Sequence, residues 1–328
     1  MDSLERRFAA LDRGEALSFT LRQGEDASGM ADAQDVMQVT VGFLLDQVRD
    51  ARQPLDLLDA LITVTVTQAN VETVMRDLDL QRAYATYSSP PPDDLRRPIS
   101  INAVAQSLQL PFETVRRRIA RLALFGAYRS TRDGVYVPEL LLKAPGHRKA
   151  LHAAHDRLRA LYGRLLAMGE LTEIDDSGPR WEGDPPLRAV GRISSEYLLR
   201  FVEPVTAELG DAVNATIWLE ILRSNTDAAV GVGWQDVERR PVSVSQLARR
   251  VGLPVQTVRR RVEALVSAGA CERVGRGLLI PADTLRRSEF VAIADKNRAN
   301  LERMFANLGR LGVLAAWRET IGAKVRAA

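Results

Sequence analysis

Pro254-Val-Gln-Thr-Val-Arg-Arg-Arg-Val-Glu-Ala-Leu265 occurs twice in this chain, the other copy being Pro111-Phe-Glu-Thr-Val-Arg-Arg-Arg-Ile-Ala-Arg-Leu122. In each copy apolar residues recur at helical spacing (Val115, Ile119 and Leu122; Val258, Val262 and Leu265), and three consecutive arginines surround the rest. One face packs and the other is cationic. Such a helix can be held by a small domain while its outer side meets a polyanion.

The repeat extends well beyond the arginines. At a fixed offset of 143, residues 96–138 match 239–281 at 17 of 43 positions, among them Pro98/Pro241, Ala105/Ala248, Pro111/Pro254, Gly126/Gly269 and Gly134/Gly277. The same offset pairs Leu158 with Leu301, Tyr162 with Phe305 and Leu165 with Leu308. Upstream, Ala60-Leu-Ile62 aligns with Ala215-Thr-Ile217 at an offset of 155, so the first copy carries about twelve extra residues before its repeated segment.

Around each arginine stretch the same order of elements is predicted. In the first copy Pro98-Ile-Ser100 is extended, Ser100 or Asn102 caps a helix to Ser107 or Leu108, and Gln109-Leu-Pro111 is a turn. The arginine helix then stops at Gly126, and Tyr128 to Val137 alternates about Asp133-Gly134, a hairpin signal. In the second copy the helix 246–251, the turn Gly252-Leu-Pro254, the arginine helix to Ala268 and a hairpin about Gly275-Arg-Gly277 follow in turn. Leading helices are expected from Ala31, over Leu55–Ala69 (whose Thr and Val content would also suit a strand), over 193–209 and over 214–223. Trailing helices are expected over 147–168 and 290–308.

The organisation is therefore an N-terminal arm (1–30) with a short helix near Leu4–Leu11, a first repeat (31–168), a Gly-, Pro- and acid-rich linker (169–190), a second repeat (191–310) and a C-terminal helix or tail (311–328). The fold class is mainly α with small β-hairpin wings: two tandem winged helix-turn-helix domains related by internal duplication. The long trailing helices are expected to pack with the leading helices into one pseudo-twofold body.

Composition narrows the function classes. Hydrophobic residues at 46% and charged residues at 27% describe a globular chain, and no apolar run is long enough to span a membrane. A lone Cys271 supports no disulfide framework, which fits a cytoplasmic protein. Net charge is only +3, but residues 112–133 hold six arginines against two acids and 254–276 hold five against two. No phosphate loop or nucleophile elbow is present, so no enzyme and no cofactor are expected. His152 and His155 are spaced to share a metal, yet no carboxylate or thiol completes a site.

Arg96–Pro138 and Arg239–Pro281, and in particular Leu247-Ala248, Gly252-Leu253 and Thr257-Val-Arg-Arg-Arg-Val262, resemble the reader modules of winged helix-turn-helix bacterial transcription regulators of the MarR and GntR kind. The resemblance implies that the arginine helix enters the major groove of double-stranded DNA while the hairpin touches the neighbouring backbone. A helical projection with Val258, Val262 and Leu265 inward points Gln256 and Arg260 outward as base readers, and Glu113, Arg117 and Arg121 in the first copy. Thr114, Arg116, Arg118, Thr257, Arg259 and Arg261 flank the core and are placed for phosphates, as are the wing residues Arg129, Arg132, Arg273 and Arg276. Gln109, where the second copy has Gly252, would cost about 1 kcal/mol if that turn needs a positive φ.

The expected function is a sequence-specific DNA-binding transcription regulator with two unequal readers. Three rivals stand beside it: an adaptor whose winged helices bind protein, a regulator answering a small-molecule effector held between leading and trailing helices, and a structured-RNA binder. The pattern is open to a homodimer as well as to an intramolecular pseudo-dimer.

Overall fold

Asp56 and Asp211, 155 residues apart, each open a helix of the interior. The computed structural model describes residues 27–52, 55–171, 180–226 and 239–326, so the expected helix at Leu4–Leu11 lies outside the described residues. Helix α1 (Ala27–Ala51) is followed by α2 (Leu57–Asn70), which Asp56 caps by accepting from the Asp59 amide at 3.0 Å. The run Thr63-Val-Thr-Val-Thr67 suits a strand by propensity, yet it is helical. Thr65 Oγ1 returns a hydrogen bond to Leu61 O (2.9 Å) and Leu57, Leu61, Ile62 and Val66 are buried, so packing outweighs the β preference. Two short helices absent from the sequence prediction, α3 (Glu72–Arg76) and α4 (Leu78–Ala83), precede the expected loop.

The first winged module comprises α5 (Ile101–Leu108), α6 (Phe112–Leu124) and the hairpin β1 (Arg129–Thr131)/β2 (Gly134–Tyr136), with α7 (Glu139–Leu142) and the trailing helix α8 (Pro145–Ala167) after it. The second half repeats the order. Helices α9 (Leu187–Leu209) and α10 (Ala212–Thr226) lead to α11 (Val244–Val251), α12 (Val255–Ser267), β3 (Glu272–Val274), β4 (Gly277–Leu279), α13 (Ala282–Leu285) and α14 (Ser288–Arg310). A final helix, α15 (Val313–Arg326), follows. Helix α9 begins six residues before the predicted Ile193, so the linker predicted to residue 190 overruns its first turn. Pro204 sits inside α9 and has no amide to donate to the Arg200 carbonyl one turn before it, which accepts instead from Asn300 Nδ2 at 3.4 Å.

The two halves agree in contacts as well as in order. Ile99 bridges Val135 and Val242 bridges Leu278, adding a short third strand to each hairpin. Asn70, at the end of α2, donates to Arg97 O (2.7 Å) and Val135 O (3.3 Å) and accepts from the Val137 amide (3.0 Å). Asn225 does the same for Arg240 O (2.9 Å), Leu278 O (3.0 Å) and the Ile280 amide (3.0 Å). A Cβ at Gly134 would fall 2.2 Å from Ile99 O and one at Gly277 2.5 Å from Pro241 Cβ, so the close approach of hairpin and bridge needs glycine in both halves. One pair of positions exchanges volume. Thr63 Oγ1 meets Tyr128 OH at 2.7 Å in the first half, whereas in the second Trp218 stands for Thr63, Cys271 for Tyr128, and the indole donates to Ala270 O at 2.9 Å.

The halves share one hydrophobic core. Helix α9 packs against both trailing helices, α8 and α14, and α1 packs against α8 and α10. Polar bridges cross between the halves within this core: Asn297 Nδ2, whose Oδ1 accepts from Tyr197 OH (2.6 Å) in its own half, donates to Thr40 Oγ1 (3.1 Å), and Ser194 Oγ donates to Gln47 Oε1 (2.9 Å). The expected common body of leading and trailing helices is present. Trp317 of α15 joins it, its indole donating to His155 Nε2 at 3.2 Å beside the Tyr162 ring.

Candidate nucleic-acid interface

Each arginine helix is tied to the leading helix behind it by its third arginine. Arg118 Nη1 reaches Asp56 Oδ2 (2.7 Å) and Asp59 Oδ1 (2.8 Å), and Arg121 also pairs with Asp59, whose side chain is only 4% exposed. Arg261 pairs with Asp211 and donates to Asn214 Oδ1 at 3.1 Å. Asp56 and Asp211 thus serve twice, capping a helix and receiving an arginine. Burial alone would raise the Asp56 carboxyl, but the hydrogen bond and charge of Arg118 outweigh it and hold the group below its ordinary value.

These ties show where the structure places the arginines assigned from the sequence. Arg118 and Arg261, placed by projection against phosphates, and Arg121, placed as a base reader, spend their guanidiniums on carboxylates of the same chain. An arginine side chain is long enough to fold back along its helix, which a projection of Cα directions cannot register. In the first copy Glu113 and Arg116 form a bidentate pair (2.8 and 2.6 Å) on the exposed face, so the expected base reader and phosphate clamp neutralise one another. The Arg116 hydrogen bond holds the Glu113 carboxyl below its ordinary value.

What remains outward is concentrated in the second copy. Gln256, Arg259 and Arg260 are exposed on α12, and the two arginines make no ion pair with another described residue. Thr257, like its counterpart Thr114, is half-buried. On α6 Arg117 is the exposed arginine without such a pair. The wing residues Arg129, Arg273 and Arg276 are exposed, as is Arg132, which lies 3.5 Å from Asp133.

The turns before the two arginine helices share a backbone shape. Gln109 has φ 49° and ψ 41°, and Gly252 has φ 65° and ψ 38°. Gln109 is the one non-glycine residue with positive φ among the described residues, so the strain that glycine avoids is present in the first copy. The second turn is reinforced from the other half: Arg52, just past α1, donates to Arg250 O at 2.6 Å, a cation on carbonyls at the C-terminus of α11. At the other end of α11, Ser243 and Gln246 form a capping box, whereas Ser100 caps α5 alone.

Cys271 is buried and its thiol is pushed up to about 11 by burial, as suits a small apolar core residue. Among the described residues no group of His, Cys, Asp and Glu is arranged to hold a metal; His155 instead faces Trp317 and Asp156. No described helix is long and apolar enough to cross a membrane.

The anchors Asp56, Asp59, Asp211 and Asn214 hold the arginine helices in place, and the arginine motif by itself does not reveal them. Their signal is in the sequence nonetheless: Asp-x-x-Asp at 56–59 and Asp-x-x-Asn at 211–214 align at the offset that pairs Ala60 with Ala215.

Comparison with known proteins agrees with this geometry in one half. A helix-turn-helix domain family model matches residues 235–274. No curated protein and no solved structure matches the chain. The matched stretch takes in α11, α12 and β3, which stand as the two helices of the helix-turn-helix and the first strand of its hairpin.

Proposed function

We propose that the protein is a non-enzymatic, cytoplasmic, bacterial transcription regulator that binds double-stranded DNA sequence-specifically through two unequal winged helix-turn-helix readers. The observation that carries this is the division of labour on α12: Arg261 tethers the helix to α10, leaving Gln256, Arg259 and Arg260 unspent on its outer face. Gln256 and Arg260 suit adenine and guanine edges in the major groove, and Arg259 with the wing residues Arg273 and Arg276 suits phosphates. On α6 the set is reduced to Arg117, with Arg129 and Arg132 on the wing. The readers descend from an internal duplication of the MarR- or GntR-like kind, which the matched pairs Asn70/Asn225, Asp56/Asp211 and Arg118/Arg261 support. Because both are joined through a common core, one chain acts as an intramolecular pseudo-dimer suited to an asymmetric site.

The test is selection of duplexes from a random pool by the full chain, repeated with Arg260→Ala and Arg117→Ala. An enriched motif that loses one half with each variant, and affinity that falls steeply between about 50 and 200 mM salt, is expected. Absence of any enriched motif would overturn the proposal in favour of a protein-binding adaptor.

A further inference from the structure

Helices α1, α2, α8 and α9 form most of the walls of an open cavity of about 250 Å³ in the shared body. Leu61 and Val64 of α2, Leu151 of α8 and Leu198 of α9 line it with apolar surface. Its polar lining includes neutral Gln47, Thr63, Thr67, Gln68 and Ser195 and the cations Arg188 and Arg192, in the first turns of α9. His147, near the start of α8, is held neutral at pH 7 by burial and by the charges of Arg188 and Arg96. Asp50 also lines the cavity, but its carboxylate is taken by Arg157.

Arg188 and Arg192 are both buried, and no carboxylate pairs with either among the described residues. Arg188 donates to Tyr87 O (2.7 Å) and Leu142 O (2.9 Å), and Arg192 donates to Tyr84 O (2.8 Å) and Gln81 O (3.3 Å). Backbone carbonyls satisfy these donors without cancelling the charge. Arg192 Nε, moreover, is buried with no hydrogen-bond partner. Arg96 close by already has Asp93, at 3.1 Å, while Glu139 influences Arg188 only through space. Burial first, then repulsion from Arg188 and Arg96, pushes Arg192 down to about 9, which still leaves a guanidinium charged at neutral pH. Two buried cations without counter-charge are costly unless an anion joins them.

We infer that this cavity binds a small organic carboxylate, its apolar body among Leu61, Val64, Leu151 and Leu198 and its carboxylate against Arg192 and Arg188. The volume is below the usual range of about 300–1,000 Å³ for drug-sized sites, which suits a monocyclic or short-chain acid. The cavity wall α2 also carries Asp56 and Asp59, the anchors of α6, so occupancy bears on the set of the first arginine helix. This coupling rests on the DNA-binding function proposed above; the binding site does not.

Calorimetry of the full chain with benzoate and hexanoate, set against benzamide and hexan-1-ol, tests the site without DNA. The carboxylates are expected to bind at least 10-fold more tightly than their neutral counterparts, and Arg192→Gln to remove that preference. Val64→Phe keeps every cation and fills the cavity, so it is expected to abolish binding and serves if the Arg192 variant fails to fold. Equal binding of acids and neutral compounds, binding unchanged by Val64→Phe, or no carboxylate binding at all would each overturn the inference. A DNA titration with and without benzoate then separates the two levels. At least a 3-fold change in DNA affinity supports coupling, and carboxylate binding with unchanged DNA affinity refutes coupling alone. Carboxylate binding by a chain with no affinity for DNA refutes the proposed function and leaves the site standing.

Discussion

Helices α6 and α12 carry the same Thr-Val-Arg-Arg-Arg core but present different surfaces. On α12 the acid of the motif region, Glu263, lies a full two turns from Gln256 and leaves the leading turns cationic; on α6 Glu113 sits in the first turn and takes Arg116. The first helix spends a further arginine, Arg121, on Asp59, where the second has Ala264. It then ends in Leu124 and Phe125, 86% and 80% exposed, where the second has Ser267 and Ala268. Identical arginine triplets thus do not make identical interfaces. The third arginine is a tether in both, and the residues around the triplet decide how much charge is left over.

The comparison is broken or sharpened most strongly at the tethers. Asp59→Ala leaves Arg118 and Arg121 without their buried partner and is expected to cost about 2–3 kcal/mol of stability in urea unfolding, because hydrogen bonds to charged groups are among the strong ones. Asn214→Ala removes a neutral acceptor and is expected to cost about 1 kcal/mol. Equal losses would show that the two anchors are energetically alike.

Next in size is the contrast between outward arginines. Arg260→Ala is expected to weaken binding to a selected duplex by about 1–3 kcal/mol, the worth of a bidentate base contact, as read by fluorescence anisotropy. Arg117→Ala should cost less. A larger loss from Arg117 would reverse the ranking of the two readers.

The turns should respond with opposite signs. Gln109→Gly relieves a left-handed residue and is expected to stabilise the chain by roughly 0.5–1 kcal/mol. Gly252→Gln is expected to destabilise it by at least about 1 kcal/mol, since the φ of 65° is strained for any side chain and the new Cβ would fall 2.0 Å from Arg52 Nη2. Thermal unfolding of the two variants decides it; a shift of the same sign in both would mean that Gln109 is held by something other than tolerated strain.

The smallest effect at neutral pH concerns acid sensitivity. Burial, aided by Arg188 and Arg96, pushes His147 down to about 4, whereas its repeat partner is Phe290, which cannot titrate. A histidine with a depressed folded value binds fewer protons when folded than when unfolded. Stability is therefore unaffected above about pH 6.5 and is lost progressively from there down to about pH 4. His147→Phe should remove this part of the acid dependence in unfolding titrations while leaving stability at pH 7.5 nearly unchanged.

Most of the fold was legible because its determinants are local or repeated. Ser100 capping α5, the Asp-Gly hairpin and the 3.6-residue spacing of Val115, Ile119 and Leu122 are written in adjacent residues. The Thr- and Val-rich α2 was ambiguous because propensity and burial disagree there, and α3 and α4 are too short to show a period. Of the site, exposed Gln256, Arg260 and Arg117 follow from helical projection. The fates of Arg118, Arg121 and Arg261 do not, since they depend on which acids a neighbouring helix offers.

By itself the sequence determined that two copies of a helix–turn–helix–hairpin unit exist and which face of each arginine helix packs, because apolar spacing and capping act over a few residues. Tertiary structure alone decided which arginines remain free, that Arg52 of one half supports the turn of the other, and that Arg188 and Arg192 are buried without counter-charge beside a cavity. Those outcomes depend on the juxtaposition of segments about 60 to 200 residues apart, and a charge is satisfied or left wanting only by what the fold brings within a few ångströms of it.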